Sequence, residues 1–555
     1  MRSHNGMNFF ARTRYFLAIP AIAALLCGCT GTEDPVDPGK DTIDTVTGVI
    51  SSPLTKVSGV DDSGTVSQEW EVGDVIYGYY GSAENIVKYK VASVDAEGVA
   101  SFIWDGAEGM APTVGKAGSS TFHLISDGSD PDFGDIPASG EYSVDLSSQT
   151  GLLGDALDRT VMAASGTVTG KKLELSFSNL TALLKVKAED GFAVKGASAY
   201  HGLSATGTVS VNAGSMTFTP GGKGEISVTG STSGSTAYIV IPASSIIGLE
   251  VWESNGTQER VAMSGTSRTA QPSKCYTFTE SFEPRFHNSL PGLFSISSSD
   301  QVSFSKGSLQ YRASTGTWRF APNQYDIVGS GNEHIGSSCD GWIDLFGWGT
   351  SGQSYTSPLP SSPAALTPWS TSDVDSGYGP AYTSASEQYS YNYLNPGWHS
   401  DWGCNMPGFF TPSDGEWYYL FTRGGPDLYG GYATVAGIKG IILIPDGDFK
   451  DPEKNGGSGK FVYDNGTFDY SDNTYPAEDW AYMEIAGAVF LPCTGWREGT
   501  GYKFTDGFGR YWSNTGLDSD MSGNCRAGDI SFDGTGFGAG ACRRSFGLPV
   551  RLVCF

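Results

Sequence analysis

The sequence predicts a mainly β, multidomain protein. At the usual ~150 residues per domain, 555 residues correspond to roughly three to four domains. Glycine accounts for 76 residues, about twice the usual share, and this abundance beside Ser, Thr and aromatic residues is typical of short strands joined by turns. Apolar and polar residues alternate over many short segments, and no long amphipathic helix is visible.

The charge balance excludes one class of function. The 60 acidic and 34 basic residues give a formal net charge of −26. Nucleic-acid binding depends on Lys and Arg neutralising phosphates, so we expect no nucleic-acid partner. The same charge is repelled by anionic lipid headgroups, so any membrane attachment must be covalent or apolar.

The first 28 residues have the form of a lipoprotein signal peptide. Basic residues precede an apolar run over 15–26, which is shorter than the ~20 residues of a membrane-spanning helix. Leu26-Cys27-Gly28-Cys29 resembles the lipobox of bacterial lipoproteins, which implies that Cys29 is lipidated. We expect a lipid anchor in the outer membrane; the alternative is an ordinary signal peptide with a chance cysteine.

Residues 29–45 are predicted to be an acidic, flexible tether. Pro35 and Pro38 interrupt a short stretch rich in acidic residues directly after Cys29. An acidic patch at this place resembles the signal that sends some outer-membrane lipoproteins to the cell exterior. The protein is therefore expected at the cell surface or on a fimbrium.

Two β-sandwich units are predicted over 46–160 and 161–282. Leu173, Leu175 and Phe177 alternate with polar residues, as on a strand that is buried on one face. Residues 238–241 are a short apolar run closed by a proline, and Gly/Ser runs at 221–236 provide turns. No catalytic motif is recognisable in this region.

This region resembles the fimbrillin family of pilus subunits. The resemblance is carried, in order, by Trp70-Glu71-Val72-Gly73-Asp74-Val75-Ile76, Val161-Met162-Ala163, residues 175–186 and the apolar run at 238–242. It implies two transthyretin-like sandwiches and assembly with other pilus subunits by strand donation, in which an incoming strand completes an open sheet. It also implies release by a cut after a basic residue near the N-terminus, for which Lys56 is the candidate.

A separate α+β domain is predicted over 293–555, after a linker at 283–292. Strands are expected at 304–311, 317–320, 440–444, 488–491 and 550–553. Ser413 and Glu416 form a capping box, which predicts a helix that begins there and ends before Gly424-Gly425. Stalk subunits of the fimbrillin family carry their donor strand at this position, so the extra domain favours a tip or accessory subunit.

The predicted helix carries a second resemblance. Glu416, Trp417, Tyr419 and Arg423 match, in register, the helix of the formylglycine-generating (sulfatase-modifying) fold. Further segments resemble the related Fibrobacter succinogenes major paralogous domain, namely 323–326, 341–349, 511–514 and 547–553. Both relatives imply a C-type-lectin-like architecture, in which the two ends of the domain pair and a long insertion forms the recognition surface.

The cysteines of this domain are candidates for disulfides, because an even number in an exported chain is typical of bridges. Free buried thiols are the alternative, and the candidates are Cys339, Cys404, Cys493, Cys525, Cys542 and Cys554. A formylglycine-type oxidase would need copper and a reactive thiol near Cys542, whose neighbours Arg543 and Arg544 would help to lower its pKa. The closely spaced cysteine pair of that family is missing, so we predict no enzymatic activity.

We expect no cofactor, although two groups of side-chain oxygens are candidates for calcium. They are Asp446, Asp448 and Asp451, and Asp518, Asp520 and Asn524. Calcium takes six to eight oxygen ligands, and neither group has the spacing of an EF-hand. Acidic turns without a metal are the alternative.

The recognition surface is predicted in the Ser/Thr/Pro-rich stretch 350–400, because so long a loop inside a compact domain is usually functional or disordered. Tyr and Trp suit both glycan stacking and protein contacts. The candidate ligand-binding residues are Trp369, Tyr378, Tyr382, Tyr389, Tyr391, Tyr393 and Trp398. Alternatively, they pack the insertion against its own domain.

Together these features predict a cell-surface lipoprotein that acts as a fimbrial tip or accessory adhesin. Its C-terminal domain would contact a host or microbial glycan or protein. Two alternatives remain: a glycan-capturing surface lipoprotein that never enters a pilus, and the formylglycine-type oxidase.

Overall fold

The protein is mainly β in the computed structural model. The structure describes residues 15–20, 45–52, 55–56, 70, 72–79, 86–104, 119–124, 141–169, 172–212, 215–265, 267–333, 338–348, 408–425, 428–447, 469–517, 526–543 and 545–555. Two compact units, Met1–Pro284 and Arg285–Phe555, divide the chain inside the segment 283–292 that the sequence analysis assigned to a linker. Within the described part of the chain, no helix has the length and apolarity to cross a membrane.

The first unit consists of short strands and one helix of a turn and a half. They are β1 (Tyr15–Pro20), β2 (Thr45–Ser52), β3 (Thr55–Lys56), β4 (Val75–Tyr79), β5 (Ile86–Val94), β6 (Ala100–Trp104), β7 (Ser119–Leu124), β8 (Glu141–Asp145), β9 (Ser148–Gln149), α1 (Leu153–Asp158), β10 (Met162–Thr169), β11 (Lys172–Asn179), β12 (Thr181–Lys187), β13 (Ala193–His201), β14 (Thr206–Asn212), β15 (Ser215–Pro220), β16 (Ile226–Val228), β17 (Thr236–Pro242), β18 (Ser245–Ser254), β19 (Glu259–Met263), β20 (Ser267–Thr269), β21 (Lys274–Phe278) and β22 (Glu283–Pro284).

One sheet of the first unit closes on itself, in the order β1-β4-β5-β6-β2-β11-β10-β7. The predicted alternation of β11 is confirmed, since Leu173, Leu175 and Phe177 are all buried. Trp70 contributes to the same core, with its ring centroid 5.1 Å from those of Phe102 and Phe177. The first motif of the fimbrillin resemblance thus begins with a core residue.

The predicted boundary at 160/161 does not divide the strands of the first unit. Strands β10 and β11 follow that boundary, yet they pair with β7 and β2 of the closed sheet. Strands β8 and β9 precede it, yet they pair with β14 and β16. The chain therefore crosses repeatedly between the closed sheet and the other sheets of the unit. Strands that are distant in the sequence pair with one another.

The remaining strands of the first unit form three sheets. Their orders are β17-β12-β21-β3, β22-β19-β18-β13-β16-β9 with β20 on β18, and β15-β14-β8. Side chains from β12, β17, β13 and β18 share one buried core, which includes Leu184, Ile239 and Val251. The apolar run predicted at 238–241 lies in β17, at the centre of this core.

The second unit combines short strands with two helices of nine residues each. They are β23 (Phe294–Ser295), β24 (Gln301–Phe304), β25 (Leu309–Arg312), β26 (Thr317–Phe320), β27 (Trp342–Ile343), β28 (Phe409–Phe410), α2 (Asp414–Thr422), β29 (Gly430–Val435), β30 (Ile438–Leu443), β31 (Thr474–Tyr475), α3 (Ala477–Ile485), β32 (Val489–Pro492), β33 (Trp496–Glu498), β34 (Gly501–Lys503), β35 (Gly509–Leu517), β36 (Arg526–Asp533), β37 (Gly536–Arg543) and β38 (Val553–Cys554), with a 3₁₀ helix at Gly329–Glu333.

The sheets of the second unit are small, in the orders β23-β24-β38-β28, β26-β25-β27, β31-β29-β30-β32, β33-β34 and β35-β36-β37. Strand β24, near the start of the unit, pairs with β38 at its end. The predicted helix is confirmed as α2, with the complete capping box of Ser413 and Glu416. It ends at Thr422, because Arg423 adopts the left-handed conformation at φ 53°.

Candidate functional site

The N-terminal segment 45–56 supplies one strand to each of two sheets in the first unit. Strand β2 lies between two partners, antiparallel to β6 and parallel to β11. The chain then continues into β3, which runs parallel to the start of β21 and pairs Lys56 with Cys275. Lys56, the predicted processing site, is thus the last residue of β3.

The inward face of β2 is held closely by aromatic rings. Val46 is 2% exposed, and two residues later a Cβ added at Gly48 would lie 3.0 Å from ring carbons of both Phe102 and Phe177. Contacts at that distance are tighter than ordinary van der Waals packing. The space between β6 and β11 therefore accepts a strand that carries glycine at this position.

A second N-terminal segment lies in the same sheet. Strand β1, inside the predicted signal peptide, runs parallel to β4 and antiparallel to β7. Strands β4 and β7 also pair directly, at Tyr77 and His123. If residues 1–28 are removed as predicted, this direct pair remains between β4 and β7.

A cavity of about 530 Å³ lies beside β21 in the first unit. Its lining includes the apolar side chains of Leu184, Ile241 and Ile246, together with Arg268 and Lys274. Strand β3 pairs only with Lys274 and Cys275, so the rest of this edge of β21 has no strand partner among the described residues. The unpaired part of the edge of β21 is therefore adjacent to the apolar cavity.

In the second unit, the helix residues that carried the second resemblance hold the interior together. Trp417 is fully buried and its Nε1 donates to the carbonyl oxygen of Trp512 at 3.1 Å. The Arg423 guanidinium donates to the carbonyl oxygen of Ile444 at 2.7 Å and forms an ion pair with Asp446. These contacts fix the end of α2 against the adjoining sheet.

Asp446, one of the calcium candidates, is engaged by three protein side chains. Its carboxylate accepts hydrogen bonds from Ser295 at 2.6 Å and Gln301 at 2.8 Å, besides pairing with Arg423. Burial alone would raise the pKa of Asp446, but these partners lower it. Among the described residues, no group of three His, Cys, Asp or Glu side chains could hold a metal. The other calcium candidates lie outside the described residues: Asp448, Asp451, Asp518, Asp520 and Asn524.

The remaining motifs of the second unit are also internal. The indole N–H of Trp512 donates to the carbonyl oxygen of Phe346, and that of Trp348 to the carbonyl oxygen of Ser513. Near them, fully buried Arg551 donates to Gln324 at 2.8 Å. Gln324 in turn donates to Glu484 at 2.9 Å. Residues from the segments that resemble the major paralogous domain are thus joined by buried hydrogen bonds.

The predicted disulfides are not formed among the described cysteines. Cys339, Cys493, Cys542 and Cys554 form no disulfide in the structure. Cys493, Cys542 and Cys554 are buried, and the last two belong to the same hydrophobic core. Cys404 and Cys525 lie outside the described residues.

The oxidase alternative would need an activated Cys542, and the structure does not provide one. Burial raises the pKa of its thiol to about 12, which outweighs the nearby charge of Arg510 and a backbone hydrogen bond with Arg543. A protonated, buried thiol is a poor nucleophile. The oxidase alternative loses its candidate residue.

The predicted ligand-binding aromatics of the insertion, Trp369, Tyr378, Tyr382, Tyr389, Tyr391, Tyr393 and Trp398, lie outside the described residues. Their role stays a prediction. What the sequence analysis missed is Gly48, whose place between two phenylalanine rings becomes visible only when β2, β6 and β11 are assembled. Its only signal in the sequence was the apolar inward position two residues earlier, Val46.

The chain is similar to solved structures from Bacteroides. Two of them, from Bacteroides uniformis ATCC 8492 and Bacteroides ovatus ATCC 8483, are provisionally described as cell adhesion proteins. They are 18% and 14% identical with TM-scores of 0.28 and 0.30, and the alignments cover 45% and 44% of this chain and 97% and 95% of theirs.

A fimbrial protein from Bacteroides ovatus ATCC 8483 is 12% identical with a TM-score of 0.20, over 94% of this chain and all of that one (100%). Similarity at these TM-scores adds no argument about what this chain does. No family model matches the sequence, and no curated protein shows significant similarity to it.

Proposed function

We propose that the protein is a cell-surface adhesin of the fimbrillin type, in which the first unit joins a neighbouring pilus subunit by strand donation. The single observation that carries the proposal is the position of residues 45–56. One short N-terminal segment supplies a strand to each of two sheets, and it ends at the basic residue Lys56. A cut after Lys56 would therefore release both β2 and β3 from the rest of the chain.

Release of this segment would leave main-chain groups of the first unit without partners. Strands β6 and β11 would each lose a neighbour in the middle of a sheet, and β21 would lose the pairing to β3. Unpaired N–H and C=O groups at such edges favour the addition of another strand. We infer that a strand of a second subunit takes the place of residues 45–56.

The gap left by β2 also constrains the incoming strand. Phe102 and Phe177 close over Gly48, so the replacement strand must place glycine between these rings. Two residues earlier it would carry an apolar side chain, as Val46 does. The backbone supplies affinity and these two positions supply register.

The remaining parts of the proposal follow from the sequence. Lipidation of Cys29 would anchor the precursor in the outer membrane, and several acyl chains hold far more firmly than one. The second unit, which we propose to be C-type-lectin-like, would be the head of a tip or accessory subunit. Its ligand would be a glycan or a protein.

The proposal is tested by strand replacement in the full-length protein. The protein is digested briefly with a protease that cuts after lysine and arginine, and the new N-terminus is sequenced. The released segment is removed by gel filtration in mild urea. A fluorescent peptide of residues 45–56 is then added, and its anisotropy is followed. We expect cleavage after Lys56 and binding of the peptide to the cleaved protein, with no binding to uncleaved Lys56→Ala protein.

The matched control is the same peptide with the substitution Gly48→Val, whose branched side chain meets Phe102 and Phe177. We expect its affinity to be at least tenfold weaker. Equal binding of both peptides, or binding to the uncleaved variant, would show that the peptide does not occupy the β2 position and would contradict the proposal.

A further inference from the structure

Two arginines of the second unit share one tryptophan ring. On the three-stranded sheet β26-β25-β27, Arg312 of β25 lies directly opposite Trp342 of β27. The guanidinium carbon of Arg319, from β26, is 3.8 Å from the centre of the Trp342 ring, and that of Arg312 is 5.0 Å away. Cation–π contacts at these distances hold both guanidinium groups in place.

The two guanidinium groups have few acceptors. Arg319 donates through Nε to the side-chain oxygen of Gln310 at 2.9 Å, and nothing else in the described residues accepts from it. Arg312 Nε is buried without a hydrogen-bond partner. It forms a long ion pair with the exposed Asp340, whose Oδ1 lies 3.8 Å away, beyond hydrogen-bonding distance. That same Asp340 oxygen already accepts a hydrogen bond from Ser314 at 2.8 Å.

Asp340 and Asp326 lie near the two guanidinium groups, but both carboxylates accept hydrogen bonds from other residues. Burial lowers the pKa of Arg319, and the adjacent Arg312 charge lowers it further, although Asp326 acts in the opposite direction. Asp326 itself accepts hydrogen bonds from the backbone and side-chain nitrogens of Asn323. Two like charges that are held together by an indole favour an anion beside them.

The anion that suits this geometry is a carboxylate. Each guanidinium is a planar fork whose paired N–H groups match the two oxygens of a carboxylate. The chain as a whole carries −26, so a long polyanion would be repelled, whereas one acidic group on a neutral frame would not. A saccharide with an acidic sugar among hydroxyl groups has this character.

We propose that Arg312 and Arg319, side by side on Trp342, bind the carboxylate of an acidic saccharide. This inference rests on the proposed adhesive function and names the ligand class of the head. It is independent of strand replacement, which takes place in the first unit. A negative result here with normal strand replacement would remove only the ligand assignment.

The test is a binding titration of the full-length protein with two matched pairs of saccharides. Galacturonic acid is compared with its methyl ester, and sialyllactose with lactose, each up to 5 mM. We expect at least one acid to bind, and its neutral partner to bind at least tenfold more weakly. Binding of the acid should weaken at least tenfold in Arg312→Gln and in Arg319→Gln.

Three controls keep the result specific to this cluster. Lys503→Gln removes the same charge from an exposed position of the same unit and should leave binding unchanged. Arg319→Lys keeps the charge but loses the planar fork, and it should weaken binding three- to tenfold. Thermal unfolding of each variant shows whether the unit is still folded.

Three outcomes would overturn the proposal. They are absence of acid binding up to 5 mM, equal binding of acid and neutral forms, and binding that survives in a folded Arg319→Gln protein. A neutral peptide with a free C-terminal carboxylate is included as well. Binding of that peptide without binding of either acidic saccharide would assign the cluster to a protein ligand and contradict the saccharide.

Discussion

The N-terminal strand of the first unit and the interior of the second unit are held in opposite ways. Strand β2 is fixed by main-chain pairing on both sides, and its inward position Gly48 has no side chain at all. The second unit is fixed by side chains that no other chain could supply, such as the indoles of Trp417 and Trp512 and the guanidinium of Arg551. Under the proposal, the first arrangement would be exchangeable between molecules, whereas the second would stay within one chain.

The largest loss of unfolding free energy is expected from a change in the buried network of the second unit. In Arg551→Met, buried Gln324 and Glu484 lose their cationic neighbour. Breaking a buried charged network in this way costs about 3 to 5 kcal/mol of unfolding free energy. Urea denaturation followed by tryptophan fluorescence measures it, with exposed Lys503→Met as the matched control, for which we expect a change below about 0.5 kcal/mol.

A smaller loss of unfolding free energy is expected when a larger side chain is introduced into β2. Gly48→Val places methyl groups against Phe102 and Phe177, and overpacking of this kind costs about 1 to 3 kcal/mol. Because the cost falls on β2, cleavage after Lys56 should become faster in the same protein. Gly222→Val is the control, since a Cβ at Gly222 meets nothing within 4 Å. Equal cleavage rates in the two variants would mean that Gly48 of β2 does not lie against the rings of Phe102 and Phe177.

The pH dependence of the second unit sharpens the comparison further. Burial, opposed by a hydrogen bond with Ser513, raises the pKa of Asp414 to about 6 from an ordinary 3.8. A carboxyl group with a raised folded-state pKa contributes stability that is complete below its unfolded pKa and is lost as pH rises through about 6.

We therefore expect the second unit to gain stability between pH 7 and pH 5, and Asp414→Asn to reduce this gain by about 1 kcal/mol. Burial also raises the pKa of Asp344 to about 6, so this residue would account for the remaining gain in stability. Urea denaturation at the two pH values measures the difference. A variant with the same pH dependence as the parent protein would show that Asp414 is not the titrating group.

The smallest effect concerns the thiols. Cys339 is partly exposed, whereas Cys493, Cys542 and Cys554 are buried. A maleimide added to the native protein should label Cys339 within minutes and label the other three only after unfolding, as peptide mass mapping would show. Cys339→Ser should change the unfolding free energy by less than about 0.5 kcal/mol. Resistance of Cys339 to labelling before reduction would reveal a disulfide.

The local features of the fold were predictable because they depend on neighbouring residues. The capping box of Ser413 and Glu416 fixes the start of α2, and the alternation of Leu173, Leu175 and Phe177 fixes the buried face of β11. Helix α3 was missed, since it begins after Pro476 without any side-chain cap. Its short sequence gives no start signal.

The arrangement of distant strands was not predictable in this way. The parallel pairing of β2 with β11 joins Gly48 to Leu175, and nothing local to either strand selects the other. The cluster of Arg312, Arg319 and Trp342 was missed for the same reason, since these residues belong to three different strands. The ligand contacts predicted from the sequence lie in the aromatic insertion instead.

The exchangeable role of β2 is tested most directly by hydrogen–deuterium exchange on the cleaved protein. The segment released by the cut after Lys56 is separated by gel filtration in mild urea, and exchange is measured with and without added peptide 45–56. We predict faster exchange in Lys172–Asn179 and Ala100–Trp104 after separation, and restored protection when the peptide binds. Unchanged exchange in both strands, or peptide that restores no protection, would contradict the account.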